Sequence, residues 1–516
     1  SGFQGIDWRN GYAIFELDAA HIQRLVDAGW AVQTDPIRQS ALEQWRSMAR
    51  AAKLPDDSGS IPGFSCYRTV DQTSADMQTL AEAFPDLAEI RDLGPTWQKQ
   101  QGNPAGDTIK ALVIANRASP HPQAPFVLMA AQHARELSTA EIAARFAEYL
   151  LQNQAADADL RWLLDHREIH IIPQQNPDGR RQVENMATFW RKNQNTTACT
   201  TGALPGIDLN RNSAFFWGNP GSSNEPCSEI YRGPVPSSEP ETQAIQNYLE
   251  TVFERQRPAT DMTALAPDDA QGLFISIHSF SELVLLPWEG LVGGNENNAP
   301  NHEALTILGR KFGFFTDYAV ARWQLLPPAG GTTVDYAYGE FGVAAYTFEV
   351  GTSFQQPCDS FESTVWPANL QALIYAARAA RRPYQTPSGP EIVQLNVSFD
   401  GQTIDISGQA VDHQFFRGPV SEPPAEDPVA EIVEVVVSLG VPPYLAEQTH
   451  TLAIAKPAVQ VDFSGRWDPE TLSAANDLLF AVAVDAEGAV GVPTATDLGN
   501  AVFSDGFELD LIPSTN

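Results

Sequence analysis

The stretch that decides the fold is FVLMAAQHARE, residues 126–136. Its first half, Phe126–Ala131, is a continuous apolar run, and its second half brings a histidine, an arginine and a glutamate together. A short apolar run that ends in polar residues is typical of a strand buried on both faces of a sheet. We therefore expect a central strand here, with candidate functional residues at its carboxyl end.

Three further apolar runs and four amphipathic segments share this organisation. The runs are Glu168–Pro173, Leu273–Ile277 and Ala344–Val350, and helical periodicity appears at Thr139–Leu151, Glu239–Glu254, His302–Phe312 and Pro367–Ala380. Buried strands that alternate with amphipathic helices predict an α/β fold, with a mixed, mostly parallel sheet covered by helices on both faces. We assign this domain to residues 56–385.

The flanking segments differ from the α/β domain. Residues 1–55 are predicted to form a short β-α-β segment that packs on it, with strands at Tyr12–Leu17 and Trp30–Thr34. The Pro/Gly/Ser-rich stretch PYQTPSGP, residues 383–390, marks a boundary. Short alternating strands follow it, which predicts an acidic β-sandwich-like C-terminal domain over residues 391–516.

Composition and charge limit the classes of partner. The chain has 516 residues, 43% of them hydrophobic and 19% charged, which is a globular composition large enough for two or three domains. Its net charge of −32 opposes binding to nucleic acid or to an anionic membrane. No apolar run approaches the roughly 20 residues of a membrane-spanning helix. We expect no nucleic-acid or membrane partner, and a monomer.

Polar residues follow the buried runs at the places where α/β sheets bind ligands. His133 and Glu136 follow the first run, His278 follows Leu273–Ile277, and Glu349 lies near the end of the last run. A His-x-x-Glu spacing is weak evidence by itself, and a single histidine at a strand end is more often a hydrogen-bonded core residue. Two histidines and one glutamate with an open fourth position, however, form a catalytic zinc set. Their convergence predicts one Zn²⁺ per chain.

Six further motifs accompany HARE in order along the chain. They are NPDG at 176–179, WRKN at 190–193, GIDLNRN at 206–212, SEPE at 238–241, SIHS at 276–279 and YTFE at 346–349. Together they resemble the zinc carboxypeptidase family typified by pancreatic carboxypeptidases A and B. The resemblance covers about residues 60–385. It implies a secreted or periplasmic zinc metallocarboxypeptidase of bacterial type, which hydrolyses the C-terminal peptide bond of peptides or proteins.

The resemblance assigns the metal site and the base. His133, Glu136 and His278 match the three zinc ligands. Glu349 matches the carboxylate that takes a proton from the attacking water, and Asp208 matches the carboxylate that orients the first zinc histidine. Zinc lowers the pKa of its water to about 7, but a base must still accept the proton.

Four more residues match positions that contact the substrate. Arg191 matches the cation that stabilises the oxyanion, a contribution of about 3 kcal/mol where single donors have been removed. Asn210 and Arg211 match the pair that holds the terminal carboxylate, which a planar guanidinium binds bidentately. Arg135 matches an accessory substrate-binding arginine.

Three positions bear on the substrate pocket. Leu326 stands near the place where the family has a mobile tyrosine, so we assign no tyrosine to the closing loop. Val334 matches a pocket-base position that is apolar in carboxypeptidase A and acidic in carboxypeptidase B, which slightly favours apolar or aromatic C-terminal residues. Glu289 falls near another pocket position and could attract Lys or Arg, but we expect it to face solvent because the loop lengths differ there.

The four cysteines form no CxxC pair, and their even number fits two disulfides in an oxidising compartment or four buried thiols. The resemblance implies a Cys199–Cys227 bridge, which leaves Cys66 and Cys358 as the second pair.

Two rival functions remain open. The first is an amidase or cell-wall peptide hydrolase on the same fold, against which the matched carboxylate-binding pair speaks. The second is a non-catalytic peptide-binding protein, which should have lost a zinc ligand or the base, whereas every one of these residues is present.

Overall fold

A computed structural model describes residues 3–15, 17, 19–35, 60–186, 189–200, 204–293, 297–322, 325–400, 402–418, 427–469 and 478–498. The helices in these ranges are α1 Ala19–Asp27, α2 Val70–Ala83, α3 Trp97–Gln100, α4 Leu137–Asn153, α5 Ala158–His166, α6 Pro177–Met186, α7 Pro240–Val252, α8 His302–Thr316, α9 Thr333–Phe341, α10 Cys358–Ser360 and α11 Trp366–Ala379. None of these helices is long and apolar enough to cross a bilayer.

The strands fall into a central group and two flanking groups. The N-terminal and central strands are β1 Phe3–Asp7, β2 Tyr12–Phe15, β3 Ser60–Ile61, β4 Phe64–Arg68, β5 Ala88–Pro95, β6 Thr108–Ile114, β7 Ala124–Met129, β8 Arg167–Ile172, β9 Leu273–His278, β10 Leu283–Leu285, β11 Ala319–Ala321 and β12 Ala344–Glu349. The C-terminal strands are β13 Glu391–Phe399, β14 Ile404–Val411, β15 Ile432–Leu439, β16 Thr449–Ala458, β17 Gln460–Trp467, β18 Leu478–Asp485 and β19 Thr494–Asp497.

An eight-stranded mixed sheet forms the centre of the molecule. Its strand order is β11-β10-β12-β9-β7-β8-β6-β5. The four middle strands β12, β9, β7 and β8 run parallel, and β9 is buried along its whole length. A strand that is apolar on both faces is stable only where helices cover both faces of the sheet. The predicted α/β fold is therefore confirmed.

The register of the parallel strands brings the candidate site residues to one edge of the sheet. Glu349 of β12 lies opposite His278 of β9, and Met129 of β7 lies opposite Ser276 of β9. The loop that carries His133 and Glu136 starts directly after β7. Because parallel strands end at the same edge, residues far apart in sequence meet there.

The N-terminal segment is a hairpin followed by a helix, so the predicted β-α-β order is wrong. β1 pairs with β2 in antiparallel fashion, and Gly11 closes their turn at a φ of 73°. Residues 30–34 form no strand, and Trp30 is 69% exposed. Tyr12–Phe15 pairs with Phe3–Asp7 instead, and sequence patterning missed this pairing. Residues 36–55 of the predicted segment lie outside the described residues.

The hairpin contacts the α/β domain. The Ile6 amide donates to Ser281 Oγ at 3.2 Å, and the Trp8 indole donates to the Glu282 carbonyl at 3.0 Å.

An all-β unit follows residue 390, as predicted. Its two antiparallel sheets have the orders β13-β14-β17 and β16-β15-β18-β19. They enclose an apolar cluster that is separate from the core of the α/β domain and includes Ile392, Leu395, Val397, Ile404, Val435 and Leu479. Two antiparallel sheets around a shared apolar layer form a β-sandwich.

A buried ion pair joins the sandwich to the α/β domain. Lys311 of α8 is fully buried, and its Nζ lies 3.1 Å from Glu391 Oε1 at the start of β13. The Tyr375 hydroxyl donates to the same oxygen at 2.9 Å, and Arg378 Nη2 donates to the Pro493 carbonyl at 2.7 Å. Since a buried charge is costly without its partner, each unit depends on the other here.

Candidate active site

Three ligand atoms converge at the carboxyl edge of the sheet. His133 and Glu136 lie in the loop between β7 and α4, and His278 ends β9; each is at most 3% exposed. His133 Nδ1 lies 2.8 Å from Glu136 Oε1, and His278 Nδ1 lies 3.0 Å from His133 Nδ1 and 3.1 Å from Glu136 Oε2. Tetrahedral zinc ligands stand about 3.3 Å apart, given zinc–nitrogen bonds of about 2.0–2.1 Å. Within the described ranges, this is the one group of three or more such residues.

The other ring nitrogens of the two histidines show that the set fits zinc. His133 Nε2 lies 3.1 Å from Asp208 Oδ1, and His278 Nε2 lies 3.0 Å from Ser276 Oγ. With the protons on Nε2, each histidine donates to its oxygen partner and leaves the Nδ1 lone pair for a metal. Ser276 was missed by the sequence reasoning, although its position two residues before His278 on a strand puts both side chains on one face.

The electrostatics of the cluster favour metal binding. Burial and the nearby Arg191 lower the pKa of His133, so this imidazole is neutral at pH 7. Burial opposes ionisation of Glu136, but the two imidazoles hold its pKa well below the usual value. Burial also lowers the pKa of His278, yet Glu136 outweighs that effect and raises it. A neutral imidazole and an ionised carboxylate are the forms in which these side chains bind a metal.

Asp208 connects the metal site to Arg191. Its carboxylate is fully buried, and Oδ2 accepts from Arg191 Nε at 3.1 Å and Nη2 at 2.9 Å. Oδ1 faces His133 and also accepts from the Asn210 amide at 3.0 Å. One carboxylate thus orients a candidate ligand and a candidate oxyanion-binding guanidinium.

Glu349 ends β12 beside His278 and keeps part of its surface open. Surrounding atoms still desolvate its carboxylate, and this burial raises the pKa of Glu349 to about 8; His278 opposes the rise and Glu136 adds to it. The charge of a bound zinc ion would act in the opposite direction. A carboxylate whose pKa is raised by burial and lowered by nearby positive charge can accept and return a proton near neutral pH.

The candidate carboxylate-binding pair lies on a 3₁₀ turn, Leu209–Arg211. Arg211 Nε donates to the Gly221 carbonyl and Nη1 to the Asn210 carbonyl, both at 2.7 Å. Asn210 Oδ1 accepts from the Thr333 amide at 3.1 Å. These contacts hold both side chains in a fixed orientation.

Arg135 has a partner that the sequence reasoning missed. Its Nη1 donates to Glu229 Oε1 at 2.6 Å, and its guanidinium stacks on the ring of Phe354 at 4.0 Å. Arg135 is 4% exposed, whereas the Glu229 side chain is 26% exposed. A single glutamate in a loop carries no pattern that would have identified it.

Glu289 is buried, so the expectation that it faces solvent is wrong. It is 7% exposed, and its Oε1 accepts from the Thr347 hydroxyl at 2.6 Å. The amides of Glu289 and Gly290 donate to the Asp335 carboxylate at 2.9 and 2.8 Å. Asp335 directly follows Val334, which is 1% exposed. These bonds turn the loop inward and bring Glu289 beside the predicted pocket base.

The closing loop and the cysteines complete the surroundings of the site. Leu326 is half-buried and packs against the main apolar core, while Trp323 and Gln324 lie outside the described residues. All four cysteines are described, and they form the predicted Cys199–Cys227 and Cys66–Cys358 bridges.

The chain is similar to known proteins. The zinc carboxypeptidase family profile matches residues 73–371. Zinc carboxypeptidase A 1 of Anopheles gambiae is 28% identical over 338 residues, which cover 63% of this chain and 67% of the relative. Carboxypeptidase B of Astacus astacus is 27% identical over 296 residues, which cover 56% and 87%.

A solved structure supports the fold. Carboxypeptidase A from Helicoverpa armigera aligns with a TM-score of 0.54 at 23% identity, over 70% of this chain and 86% of that chain. A candidate two-histidine, one-glutamate centre on a mixed, helix-covered sheet fits a zinc-dependent peptide hydrolase. The chain belongs to the zinc carboxypeptidase family, and it is a metallocarboxypeptidase that uses zinc.

Proposed function

We propose that the protein removes single C-terminal residues from peptides or proteins, with His133, Glu136 and His278 as zinc ligands. The observation that carries this assignment is the convergence of these three side chains at 2.8–3.1 Å. Glu349 and Arg191 border the same edge of the sheet, as the base and the oxyanion-binding cation respectively.

The chain's own residues transfer the proton and stabilise the developing negative charge. Zinc, when bound, supplies polarisation of the scissile carbonyl and acidifies water. Glu349 accepts a proton from the water whose oxygen attacks the carbonyl carbon. It returns that proton to the amine as the carbon–nitrogen bond breaks. Arg191, held by Asp208, donates to the developing oxyanion.

Recognition of a free carboxylate distinguishes an exopeptidase from an amidase. Asn210 and Arg211 supply this recognition in our assignment, because the anchored guanidinium binds a carboxylate and has little affinity for a neutral amide.

Matched substrates test the proposed function. The rates at which the wild type hydrolyses N-blocked dipeptides and their C-terminal amides are compared, and its zinc is quantified by elemental analysis. We expect one zinc per chain and a strong preference for the free acid. Arg211→Ala should raise KM for the acid and reduce this preference, whereas Arg466→Ala, at an exposed ion pair on the sandwich, should leave both unchanged. Equal turnover of acid and amide by the wild type would favour the amidase function.

We further propose that the pocket accepts a basic C-terminal side chain, in place of the slight apolar preference expected from Val334 alone. Glu289 is a buried carboxylate with one hydrogen-bond donor, Thr347, among the described residues. An apolar side chain would desolvate this charge without pairing it, which is costly. A Lys or Arg side chain would pair with it while its aliphatic stem packs on Val334.

Substrates that differ only in the last residue test the preference. We expect a higher kcat/KM for a blocked dipeptide ending in arginine than for one ending in phenylalanine. Glu289→Gln keeps the shape of the side chain and should reverse the order. A wild type that prefers phenylalanine would refute the role of Glu289 while leaving the carboxypeptidase assignment intact.

Three further assignments belong to the proposal. We place the enzyme outside the cytoplasm, in the extracellular space or periplasm, because two disulfides persist in oxidising compartments. We keep the division at residues 56–385 and 391–516: the sandwich has an apolar cluster of its own, while Leu478, Phe480, Val492 and Ala495 pack into the core of the α/β domain. A monomer remains our expectation, to be measured by light scattering.

A further inference from the structure

A buried arginine lies behind the turn that carries Glu136. Arg180 belongs to α6, directly after the NPDG motif, and is 1% exposed. Its Nη2 donates to the carbonyl of Glu136 at 3.1 Å and approaches that of Leu137 at 3.4 Å. These two carbonyls belong to the last residue before α4 and to its first residue.

The contacts of Arg180 differ from those of a structural ion pair. Among the described residues, its Nε and Nη1 have no hydrogen-bond partner. Nearby carboxylates, Glu184 first among them, act on its pKa through space. The acid one helical turn along α6, Glu184, accepts instead from the Val70 amide at 2.9 Å. Burial lowers the pKa of Arg180 to about 10, which reflects a desolvated charge. The backbone of residues 136 and 137 is therefore the direct hydrogen-bond partner of this guanidinium.

The turn at Glu136 needs outside support. Glu136 precedes α4 with a ψ of 79°, and its side chain does not cap the helix. Its carboxylate faces the two histidines instead. Its carbonyl accepts from the Thr139 hydroxyl at 2.8 Å as well as from Arg180. Two side-chain donors on one carbonyl restrict rotation of the Glu136 backbone, and hence the direction of its carboxylate.

We propose that Arg180 is a positioning residue for zinc: by holding the backbone of Glu136 and Leu137, it pre-orients the Glu136 carboxylate toward the two histidines. This inference rests on the zinc site formed by His133, Glu136 and His278. Outer partners of metal ligands commonly alter metal affinity by about 10- to 100-fold.

The chain offers a matched control. Arg167 is also 1% exposed and also donates to carbonyls, those of Ala377 at 2.8 Å, His166 at 2.8 Å and Arg378 at 2.7 Å. None of these carbonyls belongs to the metal site. Arg167→Met therefore reproduces the loss of a buried guanidinium without touching the Glu136 turn.

The zinc dissociation constant, measured by competition with a fluorescent chelator, tests the proposal. We expect Arg180→Met to weaken zinc binding by about 10- to 100-fold, and Arg167→Met to leave it unchanged. Arg180→Lys, which keeps a donor and folds more readily, should show a smaller weakening of the same sign.

Other results would overturn either the role of Arg180 or the metal site itself. Wild-type affinity in Arg180→Met, or an equal weakening in Arg167→Met, would overturn the proposal. If Arg180→Met does not fold, wild-type affinity in Arg180→Lys would overturn it instead. A wild-type protein that binds no zinc would contradict the metal site itself and not the role of Arg180.

Discussion

Replacing Asp208 by asparagine perturbs the zinc site through a residue that is not itself a ligand. The carboxylate has four short contacts, two from Arg191 to Oδ2 and one each from His133 and the Asn210 amide to Oδ1. An asparagine has one acceptor oxygen and one NH2 group that only donates. In either orientation the NH2 group therefore points at groups that also donate, on the His133 side or on the Arg191 side. The orientation of His133 or of Arg191 is lost in either case.

The magnitude follows from these contacts. Loss of the partner of a ligating histidine costs about 10- to 100-fold in metal affinity, which corresponds to about 1.4–2.8 kcal/mol. Misplacement of Arg191 lowers kcat at saturating zinc by up to about 100-fold, the lower bound for complete loss of an oxyanion donor. The Asp208→Asn variant should therefore show two separate losses, one in zinc affinity and one in kcat at saturating zinc.

Chelator competition measures the first effect, and hydrolysis of a blocked dipeptide with added zinc measures the second. Ser276→Ala is the matched control, since it removes the neutral hydroxyl beside His278. A hydrogen bond to a charged group is about twice as strong as a neutral one, so this variant should lose less zinc affinity. Wild-type zinc binding by Asp208→Asn, or a larger loss in Ser276→Ala, would refute this reasoning.

Three further outcomes are expected. Lys311→Met leaves Glu391 buried without its cation and should lower the free energy of unfolding, measured with denaturant, by about 3–5 kcal/mol. The double variant with Glu391→Gln should recover part of this stability. Strictly additive effects of the two changes would contradict the coupling. The kcat/KM should fall as the pH is lowered through the pKa of Glu349, because only the ionised carboxylate accepts a proton, and bound zinc places this pKa below its metal-free value of about 8. A Glu349→Gln variant with the same acidic limb as the wild type would exclude this role. Arg191→Ala should reduce kcat by about 100- to 1,000-fold with zinc content unchanged, and an effect on KM alone would make it a binding residue.

The features that the sequence predicted depend on short-range patterns. His133 and Glu136 lie three residues apart after an apolar run, and such a run predicts a buried strand. His278 ends another such run, and parallel strands end at the same edge. Their meeting point could therefore be predicted without knowing the order of the strands.

The features that were missed depend on contacts between distant segments. Glu289 is held inward by Thr347, 58 residues away, and no local pattern records that bond. The predicted N-terminal strand order was wrong because Tyr12–Phe15 pairs with Phe3–Asp7 and not with residues beyond the helix. Arg180 lies in a polar stretch of α6, where an exposed side chain is the ordinary expectation for arginine.

The most direct test of the central claim is the zinc content and turnover of Glu349→Gln. This change keeps the size of the side chain and removes its negative charge and its capacity to accept a proton. We predict one zinc per chain, an unchanged zinc dissociation constant, and a loss of kcat of about 100- to 10,000-fold on a blocked dipeptide. A Glu349→Gln protein that keeps its zinc and turns over at the wild-type rate would contradict the assignment of Glu349 as the base.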